Sequence, residues 1–306
     1  MQVRMRAARE FIRLTRPLFL VGGVLLNLLG AATALHDGAV FHPGRFLLGQ
    51  ALITCVQLMT HYANEYYDLE TDRLNNQRTW FSGGSGVLTS GSLSPAAAMT
   101  AAKIFALASI AAALAAGFQV RPVLLAGLAA LGAAWSYSGP PFTLVRTGWG
   151  ELSASLVVAG LVPVVGYMMQ SGGPLRPTIL LALLPLVLLH FAMLIAFQIP
   201  DLPADKAVGK QTIAVRLDLR RVVRLHNISL LFAFCVIVIL TIMGWPGAKL
   251  AWLPFPIAIW QAHRTSSLLR SDQPVPRYHW LTARALVLFA LTTALWLFGV
   301  IAAWYL

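Results

Sequence analysis

The chain has 306 residues, of which 58% are hydrophobic and only 11% charged, with a formal net charge of +12. Soluble domains carry about a quarter charged residues, so this composition excludes an ordinary soluble domain and describes a polytopic membrane protein. The positive charge faces anionic lipid and an anionic substrate; no nucleic-acid partner is expected.

Residues 1–34 imitate a secretory signal, with an Arg-rich start, an apolar run and then Ala32-Thr33-Ala34. The run is long enough to span a membrane, so the expectation is a first anchor helix. Helical spans need about 20 apolar residues. Such stretches fall at 17–35, 45–67, 96–117, 120–138, 151–170, 178–200, 226–245, 248–263 and 285–305. The expected fold is all-α: a single membrane domain over residues 1–306, with about nine transmembrane helices around a central cavity. Pro254 and Pro256 interrupt the eighth span. Cys55 and Cys235 lie inside spans without metal-site spacing, which predicts free thiols. Trp296, Trp304 and Tyr305 are expected in an interfacial aromatic belt.

Basic residues fix an expected orientation. Arg4, Arg6, Arg9, Arg13, Arg16, Arg73, Arg78 and Arg146 gather on the N-terminal side of the membrane. So do Lys206, Lys210, Arg216, Arg220, Arg221, Arg224, Arg264, Arg270, Arg277 and Arg284. The other side keeps Arg45, Arg121, Arg176 and Lys249. A cytoplasmic N-terminus and an inner-membrane location follow. The longest cytoplasmic loops are then 69–95 and 201–225, and 264–284, with Pro274 and Pro276, is a further surface connector.

Both of those long loops directly follow acids. Asn64, Asp68 and Asp72 are spaced four apart, which on a helix stacks them down one face with an offset of roughly 40° each. Asp201 and Asp205 repeat the spacing after span six. An even number of spans separates the clusters, so both emerge on one membrane face. Carboxylates at the edge of an apolar span need a cation, a counter-charge or water. A capped helix end and an ion pathway both satisfy that need. So does a Mg²⁺ site for a diphosphate, because Mg²⁺ takes one or two carboxylates plus substrate phosphates and water. Lys206 and Lys210 beside Asp205 favour the diphosphate, since ammonium groups meet phosphate oxygens as point charges. Ser82-Gly83-Gly84-Ser85-Gly86 lacks the Lys-Ser/Thr of a nucleotide loop and reads as a connector or a lid. Tyr66, Tyr67 and Tyr137 fall near the expected chamber, where a ring face can stabilise a cation. His61 and His190 are a base or packing residues.

These residues resemble the UbiA-type intramembrane prenyltransferases. Asn64-Glu-Tyr-Tyr-Asp68-Leu-Glu-Thr-Asp72 looks like the first aspartate-rich signature of that family. Asp201-x-x-x-Asp205, followed by Gly209-Lys210-x-Thr212 and Ala214-Val215-Arg216-Leu217, looks like the second. Arg16-Pro17, the Ser-Gly loop, Trp135-Ser-Tyr137-Ser-Gly-Pro-Pro141 and Gly148-Trp-Gly-Glu151 also match. The chain departs from the pattern where Glu65 replaces an Asp, where Gln198 replaces an Asn, and where Arg146 is the lone basic residue of Pro140–Gly150.

The resemblance implies transfer of a polyprenyl group from a prenyl diphosphate to an aromatic acceptor. It implies Mg²⁺ on Asn64, Asp68, Asp72, Asp201 and Asp205, with Glu65 and Gln198 as secondary candidates beside His61. It implies diphosphate contacts from Arg16, Arg73, Arg146, Lys206 and Lys210, and cation stabilisation by Tyr137. Tyr66-Tyr67-Asp68 and Gly209-Lys210-x-Thr212-x-Ala-Val-Arg-Leu look most like the enzymes that prenylate 1,4-dihydroxy-2-naphthoate on the way to menaquinone. 4-Hydroxybenzoate, homogentisate and glycerol phosphate are alternative acceptors. A reading from another class is a cation-coupled transporter, which would need no lysines beside Asp205.

Overall fold

Prolines mark where many of the longer helices begin. A proline sits in the first or second position of α2 (Pro17–His36), α3 (Pro43–Tyr67), α5 (Pro95–Gln119), α6 (Arg121–Ser138), α9 (Pro177–Ala207) and α13 (Phe255–Ser266). There its missing N–H is an orphan anyway and its fixed φ suits the helix. Ser94 adds a side-chain cap to α5, and Asp218 caps α11 (Leu219–Ile242) through the N–H of Arg221 at 2.9 Å.

The structure, a computed structural model, describes residues 2–270 and 278–305. Pro274, Pro276 and Arg277 lie outside the described residues, as do the side chains of Arg4, Arg6, Trp304 and Tyr305. The remaining elements are α1 (Gln2–Leu14), α4 (Leu69–Leu74), α7 (Gly150–Ser155), α8 (Val162–Ser171), α10 (Ile213–Arg216), α12 (Ala248–Ala251) and α14 (Tyr278–Tyr305). A π-helical turn, Leu156–Leu161, joins α7 to α8 into one span.

The chain is an all-α polytopic membrane protein. Among the described residues, six helical segments are long and apolar enough to cross a membrane: α2, α5, α7 to α8, α9, α11 and α14. Their outer faces carry large apolar side chains, with Phe118 89% and Ile242 81% exposed, as lipid contact allows. The stretch 248–263, expected as one span, is broken into α12 and α13 around Pro254. Span six, expected to end at 200, runs on to Ala207, so much of the expected loop 201–225 is helix. Pro200 and Pro203 each forgo one hydrogen bond but keep helical φ, and Ala204 stays packed inside. Trp296 departs from the expected belt: it is 1% exposed, and its Nε1–H donates to Pro246 O at 3.1 Å. Cys55 and Cys235 are free, as expected.

α2 packs on α8, α3 on α5, and α9 on α11 and α14. At α2–α8 the contact is backbone to backbone. A Cβ at Gly30 would fall on the carbonyl of Pro163, and one at Gly166 on the carbonyl of Asn27. Small residues permit this approach, which is how helices gain van der Waals contact in lipid. Walls from α2, α3, α6, α7–α8 and α9 enclose a cavity of about 290 Å³.

Candidate active site

The first acidic helix bends where its acids begin. α3 ends at Tyr67, Asp68 is the junction, and α4 follows, with the N–H of Asp68 still bonded to Asn64 O and that of Asp72 to Asp68 O, each at 2.9 Å. The helical register therefore survives, and Asn64, Asp68 and Asp72 all line the cavity. The second pair arrives on the last turns of α9, and Asp201 and Asp205 line the same cavity. The structure thus brings together the two clusters that the sequence separates by more than a hundred residues.

Lys210 joins them. It is 4% exposed, and its Nζ lies 2.6 Å from Asp68 Oδ1 and 3.6 Å from Asp205 Oδ1. Burial works to lower its pKa, but the nearby Asp68 and Asp205 outweigh that and raise it. Around this ion pair each acid has a neutral partner. Asn64 Nδ2 donates to Asp68 Oδ2 at 2.7 Å and to Ser138 Oγ at 3.1 Å, which leaves its Oδ1 available to a cation. Asn75 Nδ2 donates to Asp201 Oδ1 at 2.7 Å, and Thr212 Oγ1 to Asp205 Oδ2 at 3.4 Å. Asp72 is different: burial, then Asp68 and Glu65, push its carboxyl up to about 8.

Glu65 takes no part in this cluster. It is 3% exposed and accepts from Arg16 Nε at 3.1 Å, with Nη2 of the same guanidinium ion-paired to it at 3.1 Å, and from the backbone N–H and the hydroxyl of Ser85. Its side chain is taken up by Arg16 and pins the loop that contains Ser85. Arg16, at φ 50, holds a left-handed conformation unusual outside glycine, which costs about 1–2 kcal/mol. That strain aims the guanidinium at Glu65 from the cavity wall. The pinned loop covers the acids: a Cβ at Gly84 would collide with the Asp72 carboxylate. The Ser-Gly segment is a lid packed on the cluster.

The other expected residues divide. Tyr137 lines the cavity. His61 lines it too, with Nδ1 at 2.7 Å from Thr15 O, so Nδ1 carries the proton. Gln198 is on the wall but spends Oε1 on the N–H of Ala214 at 3.3 Å, tying α9 to α10. Tyr66 and Tyr67 leave the chamber and stack edge to face on each other, with Tyr67 also against Trp135. Arg73 and Lys206 are exposed and off the cavity wall, and half-buried Arg146 is off it as well. Four apart on the end of a helix did not bring Lys206 and Lys210 to one face, because α9 ends at Ala207 and the chain turns inward only at Gly209.

Sequence reading missed Asn75 and Ser138 as partners of the acids. Ser138 was visible inside the quoted Tyr-Ser-Gly motif; nothing in the pattern marked Asn75. Among the described residues no three His, Cys, Asp or Glu side chains converge on one ion position. The donor chemistry nevertheless fits Mg²⁺, which needs only one or two carboxylates when phosphates and water fill its octahedron.

Fold and site together define an integral membrane protein in which two acid-bearing helix ends meet a buried lysine at an apolar chamber. The sequence model for the UbiA prenyltransferase family matches residues 24–286, and the chain belongs to that family. It is a prenyltransferase. The chain is 25% identical over 248 residues to the 1,4-dihydroxy-2-naphthoate octaprenyltransferase of Bacillus subtilis (strain 168), covering 79% of this chain and 75% of that one. It is 29% identical over 235 residues to the enzyme of the same name from Mycobacterium tuberculosis (strain ATCC 25618 / H37Rv), covering 75% of this chain and 76% of that one. In fold it is similar to a UbiA homologue from Archaeoglobus fulgidus bound to DMAPP and Mg²⁺, with a TM-score of 0.69 at 20% identity over 96% of this chain and 99% of that one. The apo structure of a UbiA homologue from Aeropyrum pernix K1 gives a TM-score of 0.64 at 18% identity, over 92% and 96% of the two chains.

Proposed function

We propose that the protein transfers a polyprenyl group from its diphosphate to 1,4-dihydroxy-2-naphthoate, a step of menaquinone synthesis, at a site facing the cytoplasm. Residues 1–306 form one prenyltransferase domain in the inner membrane, with the N-terminus on the cytoplasmic side. The observation that carries this reading is the meeting of Asp68 and Asp205 around Lys210 at the mouth of an apolar cavity. The relatives' names supply the acceptor.

Asn64, Asp68, Asp72, Asp201 and Asp205 would hold Mg²⁺. The ion would supply positive charge to the departing pyrophosphate and so favour ionisation of the allylic C1–O bond. Lys210 meets the phosphates as a fixed charge that stays dry in the site. Arg16, already on the wall, turns from Glu65 to a phosphate oxygen. Phe19, Phe81 and Phe197 line the cavity beside the acids and contact one another, with ring centroids 6.2 to 6.4 Å apart. They take the isoprenoid chain, and with Tyr137 they keep water from the allylic cation.

The test incubates membranes containing the protein with a polyprenyl diphosphate, Mg²⁺ and a panel of 1,4-dihydroxy-2-naphthoate, 4-hydroxybenzoate, homogentisate and a glycerol phosphate. Prenylated naphthoquinol and pyrophosphate, both abolished by EDTA, are expected. A product from another member of the panel alone would reassign the acceptor. No product with any member would overturn the reading.

A further inference from the structure

One acid in the cavity wall has no role in this scheme. Glu151 opens α7, is 0% exposed and lines the cavity, yet neither carboxyl oxygen has a hydrogen-bond partner. The backbone N–H groups of Glu151 itself and of Ile213 lie near without reaching bonding geometry. A buried polar group left unpaired costs about 1–3 kcal/mol, more when charged, which a ligand bringing a donor would relieve.

Its neighbours restrict what it can take. Gly150 lets the Tyr137 ring come close: a Cβ there would lie 3.1 Å from Tyr137 Cε2. Glu151 therefore enters the cavity beside the ring expected to face the allylic cation. One turn on, Ser155 Oγ donates to Glu151 O at 2.7 Å, so it accepts from His190 Nδ1 at 3.0 Å. That places the His190 proton on Nδ1 and leaves Nε2 an acceptor in the same wall. A carboxylate and an unprotonated ring nitrogen repel phosphate and suit a ligand that brings O–H groups.

We propose that Glu151 binds a hydroxyl group of the aromatic acceptor and takes its proton as the new bond forms. This rests on the prenyl-transfer reading and adds the group that activates the nucleophile. The C1–O bond of the prenyl diphosphate breaks with its electron pair on pyrophosphate. A ring π pair of the acceptor forms the bond to C1, the O–H pair becomes the second bond of a carbonyl, and the proton passes to the Glu151 carboxylate. The substituted ring carbon then sheds its proton to pyrophosphate, or its carboxylate as CO₂. The electrons released restore the aromatic ring, and the oxygen recovers its proton from Glu151.

The test is E151Q, which keeps shape and volume but cannot take a proton, in the full-length protein with a prenyl diphosphate, Mg²⁺ and hydroxyaryl acceptors of graded O–H acidity at one pH. For weakly acidic hydroxyls, kcat is expected to fall by about 10² to 10⁴, the usual worth of a general base, and the deficit to shrink towards about tenfold for acceptors already ionised. E151Q should melt no lower than the wild type, since it loses no hydrogen bond. Should it melt lower, E151D, whose carboxylate is set back by one carbon, must show the same dependence on acceptor acidity at smaller amplitude. A loss of equal size across the series, or no loss, overturns the assignment while leaving wild-type prenyl transfer intact. A wild-type protein that prenylates no acceptor overturns the underlying reading instead.

Discussion

Lys210 Nζ lies 2.6 Å from Asp68 Oδ1, so a buried cation is the physical link between the two acid-bearing helix ends. Breaking a buried pair from one side strands its partner's charge and costs about 3–5 kcal/mol. K210M is therefore expected to lower the melting temperature in Mg²⁺-free detergent and to cut product formation at least about a hundredfold. The double variant D68N/K210M should recover part of the stability but none of the activity. K206M and R73M, exposed and off the cavity wall, should stay within about twofold of wild type. Equal losses in K206M and K210M would contradict the geometry.

Glu65 tests the difference between a ligand and a clasp. E65Q weakens the bonds to Arg16 and Ser85, each charge-assisted bond being worth about 1.5–3 kcal/mol. We expect a lower melting temperature and faster proteolytic cleavage between residues 76 and 94, with the half-saturating Mg²⁺ concentration changed by less than about threefold. A tenfold or larger rise in that concentration with an unchanged melting temperature would make Glu65 a ligand.

Asp72 couples the site to pH. Its carboxyl is pushed up to about 8, by burial first and then by Asp68 and Glu65. An unfolded chain releases that proton near the ordinary value of about 4. Between these values the folded state binds more protons than the unfolded one, so without metal the fold loses stability as pH rises through this window. Mg²⁺ needs the ionised form, and its stabilising effect should grow with pH and be largest above about 8. Melting curves at pH 6 and pH 9, with and without Mg²⁺, check this. An equal Mg²⁺ increment at both would contradict it.

Gly84 packs its backbone on Asp72 at φ 72. G84A adds a methyl group where the carboxylate sits, in a conformation that costs an L-residue about 1–2 kcal/mol. The expected result is a lid held off the acids, seen as a several-fold rise in KM for the prenyl diphosphate with a smaller change in kcat. An unchanged KM would mean that the loop does not rest on the site during turnover.

Much of this was legible in the chain. Apolar runs marked most of the long elements, because that signal is local. The spacing of Asn64, Asp68 and Asp72 also reported a real helical face, although the helix bends at Asp68. What sequence could not give was direction in space. Lys206 and Lys210 look equivalent by spacing, and only the helix end at Ala207 sends one outward and the other between two acids. Glu65 reads as one more acid of the signature until Arg16 and Ser85 are seen on it. Trp296 reads as an interface residue because its sequence neighbours are apolar, and its burial depends on Pro246, fifty residues away.

The glycine contact between α2 and α8 has a mechanical corollary. Where two backbones touch at Gly30 and Gly166 there is no side chain left to slide or re-pack, so that side of the helix bundle acts as an anvil. Breathing that admits a long hydrocarbon chain is then left to places such as α9, where Pro200 and Pro203 each forgo a helical hydrogen bond, and the junction at Asp68. Bulk introduced at Gly30 should therefore cost the fold itself, whereas changes near the bend should adjust how quickly substrate enters and product leaves.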